Sequence, residues 1–255
     1  MPKIAIENRA IVLAVTTALA STMLASCSTS SAAPASASAN MAQGALAKGK
    51  TSKAVTHAEA SVQAEPRNAS YRAMLGAVYL EAGRFSSAAR SFADAMELGD
   101  DSSRTALSYA LAEIGAGQHR DALTVLDDYR SSIDPSDLGL ALSLAGRPEQ
   151  GAHVLGNALR NGQNNAKMRQ NLAYSYALMG NWRAARLMAA EDVPADEVGK
   201  RISEWAQLTG PQNFRARVAA LLDVPMVVDA GQPARLALSN NPSIDQMADA
   251  IVAEA

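Results

Sequence analysis

The 255-residue sequence predicts an all-α protein built as a solenoid of stacked helix pairs. Three observations predict it. Alanine, the strongest helix former, fills about a fifth of the chain. Aromatic residues are only 4 %, too few, with the sparse Val and Ile, for a β-sandwich. Glycines recur at Gly49, Gly83, Gly117, Gly146 and Gly180, spaced by 34, 34, 29 and 34 residues. A fixed period of this size marks repeat architectures.

Composition also excludes several function classes. The 23 basic residues nearly cancel the 25 acidic ones, so no electrostatic footprint for nucleic acid exists. One cysteine rules out an intramolecular disulfide framework and a cysteine-rich zinc site.

The chain opens with Lys3 and Arg9, then residues 11–25 are apolar or small. This run of about 15 residues is short for a membrane span and fits a secretory signal core. It ends in Leu24-Ala25-Ser26-Cys27, and Cys27 is the lone cysteine. The four residues resemble the bacterial lipobox, which implies cleavage after Ser26 and acylation of Cys27. A generic signal peptide with a chance cysteine is the alternative. Acyl chains hold a protein on a membrane at about 0.8 kcal/mol per buried CH₂. Ser28 follows Cys27 where lipoprotein sorting associates Asp with the inner membrane, so the expected location is the outer membrane, facing the periplasm. Residues 1–26 are thus the expected signal peptide, and 27–42, rich in Ser and Ala and uncharged, read as a flexible tether whose end can merge into the first helix.

Residues 43–190 carry the repeats. Five residues after each register glycine lies a small one: Ala54, Ala88, Ala122, Gly151 and Ala185. The second repeat, counted from Ala69, has Leu75, Gly76, Tyr79, Ala88, Phe92 and Ala95 at positions 7, 8, 11, 20, 24 and 27. These match the tetratricopeptide (TPR) pattern of two antiparallel helices per repeat. Gly76 and Ala88 let the helices approach, while Leu75, Tyr79 and Phe92 fill the space between pairs. The fifth repeat repeats the theme with Leu172, Ala173, Tyr176 and Ala185, and the third with Ala110, Ala122 and Leu126. Pro66 closes the first. The fourth is five residues short, and its first helix is expected to be clipped to about 136–145. Five pairs exceed the roughly three needed for a cooperative stack.

Beyond the repeats, residues 191–224 read as a degenerate sixth pair that caps the solenoid. Val198, Ile202, Trp205 and Leu208 recur at helical spacing, Gly210-Pro211 breaks the helix, and a short helix follows over Phe214–Leu222. Residues 225–255 form a tail with Pro225, Pro233 and Pro242. It ends in a helix opened by a Ser243…Gln246 capping box, with Ile244, Met247, Ala248, Ile251 and Val252 on one face. That face either serves a partner's groove or docks on its own solenoid, and docking is the expectation.

No constellation for chemistry is visible. His57, His119 and His153 fall in different repeats, without a His or Cys at i+3 or i+4. There is no glycine-rich phosphate loop and no GxSxG elbow. The expectation is a non-enzymatic protein with no metal and no cofactor, bearing only a covalent lipid on Cys27. What remains is a binding surface for other proteins. In TPR proteins the first helix of each repeat lines a concave groove. The corresponding residues here are Ala73, Ala77 and Leu80, then Leu107, Leu111 and Ile114, then Gln170, Tyr174 and Leu178. Their apolar character suits an amphipathic helix or an extended apolar segment.

The stretch 167–190, with Arg169-Gln170-Asn171-Leu172-Ala173 and then Gly180, resembles the tight-adherence (Tad/Flp) pilus assembly lipoproteins of the TadD type. So do Arg217-Val218-Ala219-Ala220-Leu221-Leu222 followed by Val224, and the layout of lipobox, tether, TPR array and helical end. The resemblance implies an adaptor in pilus assembly with the outer-membrane secretin or other Tad components as partners. A TPR scaffold in outer-membrane protein or cell-wall assembly is the alternative reading.

Overall fold

The computed structural model describes residues 34–247, and the expected signal segment and Cys27 lie outside them. The described residues form helices and turns, without strands. Five antiparallel pairs follow in chain order: α1 Ala35–Ala47 with α2 Thr51–Ala64, α3 Ala69–Glu81 with α4 Phe85–Glu97, α5 Ser103–Ala116 with α6 His119–Asp128, α7 Pro135–Leu144 with α8 Pro148–Arg160, and α9 Ala166–Leu178 with α10 Trp182–Ala189. Each pair stacks on the next, giving a layer of first helices and a layer of second helices. Two further helices, α11 Ala195–Leu208 and α12 Phe214–Leu222, complete the array.

Local chemistry sets this register. All five register glycines have positive φ, from +66° to +90°, the conformation that ends a helix in a tight turn. The first helices α3, α5, α7 and α9 are each capped by the side chain before them, Asn68, Ser102, Asp134 and Asn165. Each pair carries two small residues twelve apart, one on each helix: Ala42 and Ala54, Gly76 and Ala88, Ala110 and Ala122, Gly139 and Gly151, Ala173 and Ala185. All ten are buried. A Cβ on Gly76 would lie 2.8 Å from the Phe92 ring, so only glycine admits that phenylalanine. Between pairs, Leu75, Tyr79, Phe92, Leu126 and Leu155 are at most 2 % exposed.

Three boundaries differ from expectation. First, the helix begins at Ala35, inside the segment read as tether. Ala35, Ser38, Ala39 and Ala42 are small enough to pack closely on α2, so a Ser/Ala composition here serves a helix contact. Second, the first helix of the fourth repeat is clipped as expected, to Pro135–Leu144, but the five missing residues are shared. Helix α7 starts 11 residues before Gly146, where α3, α5 and α9 start 14 before their glycines. The remaining two are lost between Gly117 and α7, where α6 is only 10 residues long. Third, the sixth pair is not a simple cap. α11 stacks on α9 and α10, but Gly210-Pro211 turns the chain, and α12 lies back across α5 and α7.

The tail continues this return path. Pro225 meets the α3–α4 turn, and a Cβ on Gly83 would sit 1.8 Å from the Pro225 carbonyl oxygen. Asp229 then accepts hydrogen bonds from the Ser87 backbone N–H at 2.7 Å and the Ser87 hydroxyl at 2.6 Å. Helix α4 lacks a cap in its own sequence, and this carboxylate supplies one from 142 residues away. Burial would raise the Asp229 carboxyl, but hydrogen bonds from Ser87, Gly231 and Arg84 hold it below its ordinary value. Asp229 therefore stabilises the fold above pH 3.8, and the contribution is lost as pH falls below that value. Asp229→Ala is expected to cost about 1.5–3 kcal/mol and to speed proteolysis of 225–247, read by urea denaturation and limited digestion.

Candidate protein-docking site

The predicted groove residues lie on one face, the layer of first helices, but the face is not an open channel. Leu80 and Leu111 are 8 % exposed and Ile114 is fully buried, so these three are core. Ala73, Ala77, Leu107, Gln170, Tyr174 and Leu178 are half-buried. For the α5 residues the physical reason is α12, which packs across α5 and α7. Its Val218 and Ala219 join the same apolar cluster as Leu111 and Leu140. Arg215 donates to the Gly115 carbonyl, and the Phe214 ring packs edge-on against His119 at 5.3 Å. The chain thus covers the middle of its own predicted groove.

Where α7, α9, α11 and α12 meet, the cover is incomplete and a cavity remains. It is lined by Leu140, Gln170, Tyr174, Trp205, Arg217 and Leu221, among others. Tyr174 and Trp205 are in ring contact at 5.3 Å. Burial pushes the Tyr174 hydroxyl up to about 12, so it is neutral at physiological pH. Arg217 is 7 % exposed and donates from Nη1 to the carbonyls of Leu208 and Gly210, at 3.0 and 2.8 Å. These bonds fasten the end of α11 to α12.

Apolar side chains are exposed elsewhere. Met179, Trp182 and Leu187 lie at the outer end of the fifth pair, with Leu187 64 % exposed. The capping box forms as expected: Gln246 Oε1 accepts from the Ser243 N–H and Ser243 Oγ from the Gln246 N–H. Its apolar face does not dock where it is described, since Ile244 is 81 % and Met247 46 % exposed. The rest of that predicted helix lies outside the described residues. The segment meets the solenoid through polar groups instead, since Arg67 in the α2–α3 loop donates to the Asn241 carbonyl at 3.1 Å and to Gln246 Oε1 at 3.4 Å.

Two buried polar clusters escaped the sequence reading. Arg72 and Asp94 form an ion pair with side chains 0 % and 1 % exposed. A second cluster surrounds Glu113, which lies in a hollow with Arg90, Tyr109 and Gln118. Glu113 stands at repeat position 11, where the second repeat has Tyr79, so a carboxyl replaces a ring in the inter-pair layer. Burial raises its pKa, nearby Asp121 adds to this, and a hydrogen bond from Tyr109 opposes it. The folded state therefore favours the proton, and stability falls as pH rises above the ordinary value of 4.5. Glu113→Gln is expected to raise Tm by about 2–4 °C at pH 7 and to change nothing below pH 4, read by thermal melts across pH. His57, His119 and His153 stay apart, and among the described residues no group of three metal-ligating side chains gathers. No helix of the described residues is long and apolar enough to cross a membrane.

The fold thus defines the class: a TPR α-solenoid whose last helix and tail fold back over the array. Its likeness to a solved structure agrees. The structure of Pseudomonas aeruginosa pilF superposes with a TM-score of 0.50 at 17 % sequence identity, covering 74 % of this chain and 90 % of that one. No protein-family model matches the sequence, and no curated protein does.

Proposed function

We propose that this protein is a non-enzymatic, lipid-anchored adaptor of Tad/Flp (type IVb) pilus assembly. In this reading acylated Cys27 places it on the outer membrane facing the periplasm. The solenoid then holds partner proteins, the secretin or other Tad components, in register. The observation that carries the reading is the residue pattern over 167–190, which falls on α9 and α10 of a TPR solenoid. Its fold likeness to pilF is consistent with it. The partner surface combines the half-buried first-helix residues Ala73, Ala77 and Leu178 with the exposed Met179, Trp182 and Leu187. TPR stacks hold partners rather than transform them, because their rigid pairs offer grooves of apolar side chains.

The test is photo-crosslinking in native envelopes, with the crosslinker at Ala77 and, separately, at Leu178. The expected catch is a secretin or another pilus component, and a gene deletion should abolish surface pili and secretin multimers. Normal piliation in the deletion would overturn the pilus assignment. Capture of cell-wall synthases or barrel-assembly proteins would move the protein to envelope scaffolding instead.

A further inference from the structure

The cavity between α7, α9, α11 and α12 contains a charge without a counter-ion. Arg217 is 7 % exposed, yet no carboxylate of the described residues pairs with it. Its Nη1 is used by the Leu208 and Gly210 carbonyls, and its Nε is buried with no hydrogen-bond partner. The Nε–Nη2 edge, the side of a guanidinium that grips a carboxylate with two parallel bonds, makes no hydrogen bond among the described residues. A second polar atom is orphaned in the same cavity. Gln170 Oε1 is buried and accepts nothing, while its Nε2 reaches only the Ala189 carbonyl and Asp192, each at 3.4 Å. A water molecule would supply a hydrogen bond to Nε but would not neutralise the guanidinium. A buried charge left unpaired costs several kcal/mol, so an anion is the complement the site lacks.

The walls restrict what that anion is carried on. Leu140, Tyr174, Trp205 and Leu221 are apolar or aromatic surfaces, and Arg201 lies with its guanidinium 6.0 Å above the Trp205 ring. We propose that this cavity binds a carboxylate on a short apolar stem. The carboxylate meets the Nε–Nη2 edge of Arg217, the stem packs against the contacting Tyr174 and Trp205 rings where they line the cavity, and a neighbouring N–H donates to Gln170 Oε1. An acidic side chain of a partner segment and a free small aliphatic acid share the first two features. Only the peptide also brings the N–H, so the acidic side chain is the fitting source. This rests on the reading of the solenoid as a protein-binding module, and does not depend on the pilus assignment.

The experiment titrates the purified protein with four probes while following the Arg217 Nε–H and Trp205 indole signals by NMR. The probes are butanoate, butanamide, N-acetyl-Leu-Glu-Leu-amide and its Gln counterpart. The Glu peptide is expected to shift both signals saturably, and its Gln counterpart to bind about tenfold more weakly. Butanoate is expected to follow at lower affinity, and butanamide not at all. Gln170→Leu should weaken the Glu peptide and leave butanoate unchanged, a difference that simple misfolding would not produce. Butanoate binding more tightly than the Glu peptide would overturn the partner-segment source in favour of a small-acid site. Equal binding of charged and neutral probes, or no saturable shift, would overturn the carboxylate site itself. That outcome would leave the crosslinking test of the adaptor reading untouched.

Discussion

Replacing Asp94 with Ala is expected to destabilise the protein by about 3–5 kcal/mol, the range for breaking one half of a buried ion pair. Arg72 is the reason. Its guanidinium is fully buried, bonded to Asp94, to the Pro66 carbonyl at 2.6 Å and to the Leu236 carbonyl at 2.9 Å. Its Nη2 already lacks a partner, so it has no reserve of hydrogen bonds. Removing the carboxylate leaves a fully buried positive charge without its counter-ion. Asp94 also accepts from Gln232 of the tail at 3.3 Å and faces Arg90 at 3.2 Å, so the strap loosens with the core. Urea denaturation of the variant checks the stability loss. Replacing both partners, as in Arg72→Met with Asp94→Leu, should recover most of it, because no unpaired charge remains. If Asp94→Ala costs less than about 1 kcal/mol, the pair is hydrated in solution and this account fails.

The second large effect lies at the crossing of α7 and α8. Gly151→Ala is expected to cost about 3 kcal/mol, at the upper end for an overpacked core. The added Cβ would stand 2.0 Å from Ser143 Oγ and 2.3 Å from the Gly139 carbonyl oxygen. The hydroxyl has nowhere to go, since Ser143 Oγ is bonded to Gly139 and to Ser175 of α9. The backbone carbonyl moves only if the helices part. Gly156→Ala on the same helix is the control. Its Cβ would meet only the tip of Arg160 at 3.6 Å, so the exchange should stabilise by about 0.5–1 kcal/mol through helix propensity. Thermal or urea melts of the two variants should therefore move in opposite directions. A shared direction would mean the helix pair repacks freely and the crossing is not tight.

Arg72 and Gly151 also show how far the sequence could be read. Gly151 was legible, because it falls five residues after a register glycine where other repeats carry Ala. Its close approach to Gly139 came from the structure. The Arg72–Asp94 pair was not legible. Position 4 of a repeat points inward, but an inward Arg has no meaning until a carboxylate from the neighbouring helix and a carbonyl from the tail arrive beside it. Arg217 was in the same position. It could be quoted from the sequence as part of a resemblance, and only the packing of α11 and α12 shows its open edge.

The helical class, the register glycines, the small residues at each crossing and the capping box were determined by the sequence alone. Each is a local rule that repeats every 34 residues or sits within four, so the pattern is visible without the fold. The covering of the groove by α12, the capping of α4 by Asp229 and the cavity around Arg217 were decided by tertiary structure. Asp229 reaches Ser87 across 142 positions and Arg215 reaches Gly115 across 100, where no period links the partners. A returning chain settles wherever its few apolar and polar groups find complements, and that place exists only once the solenoid has formed.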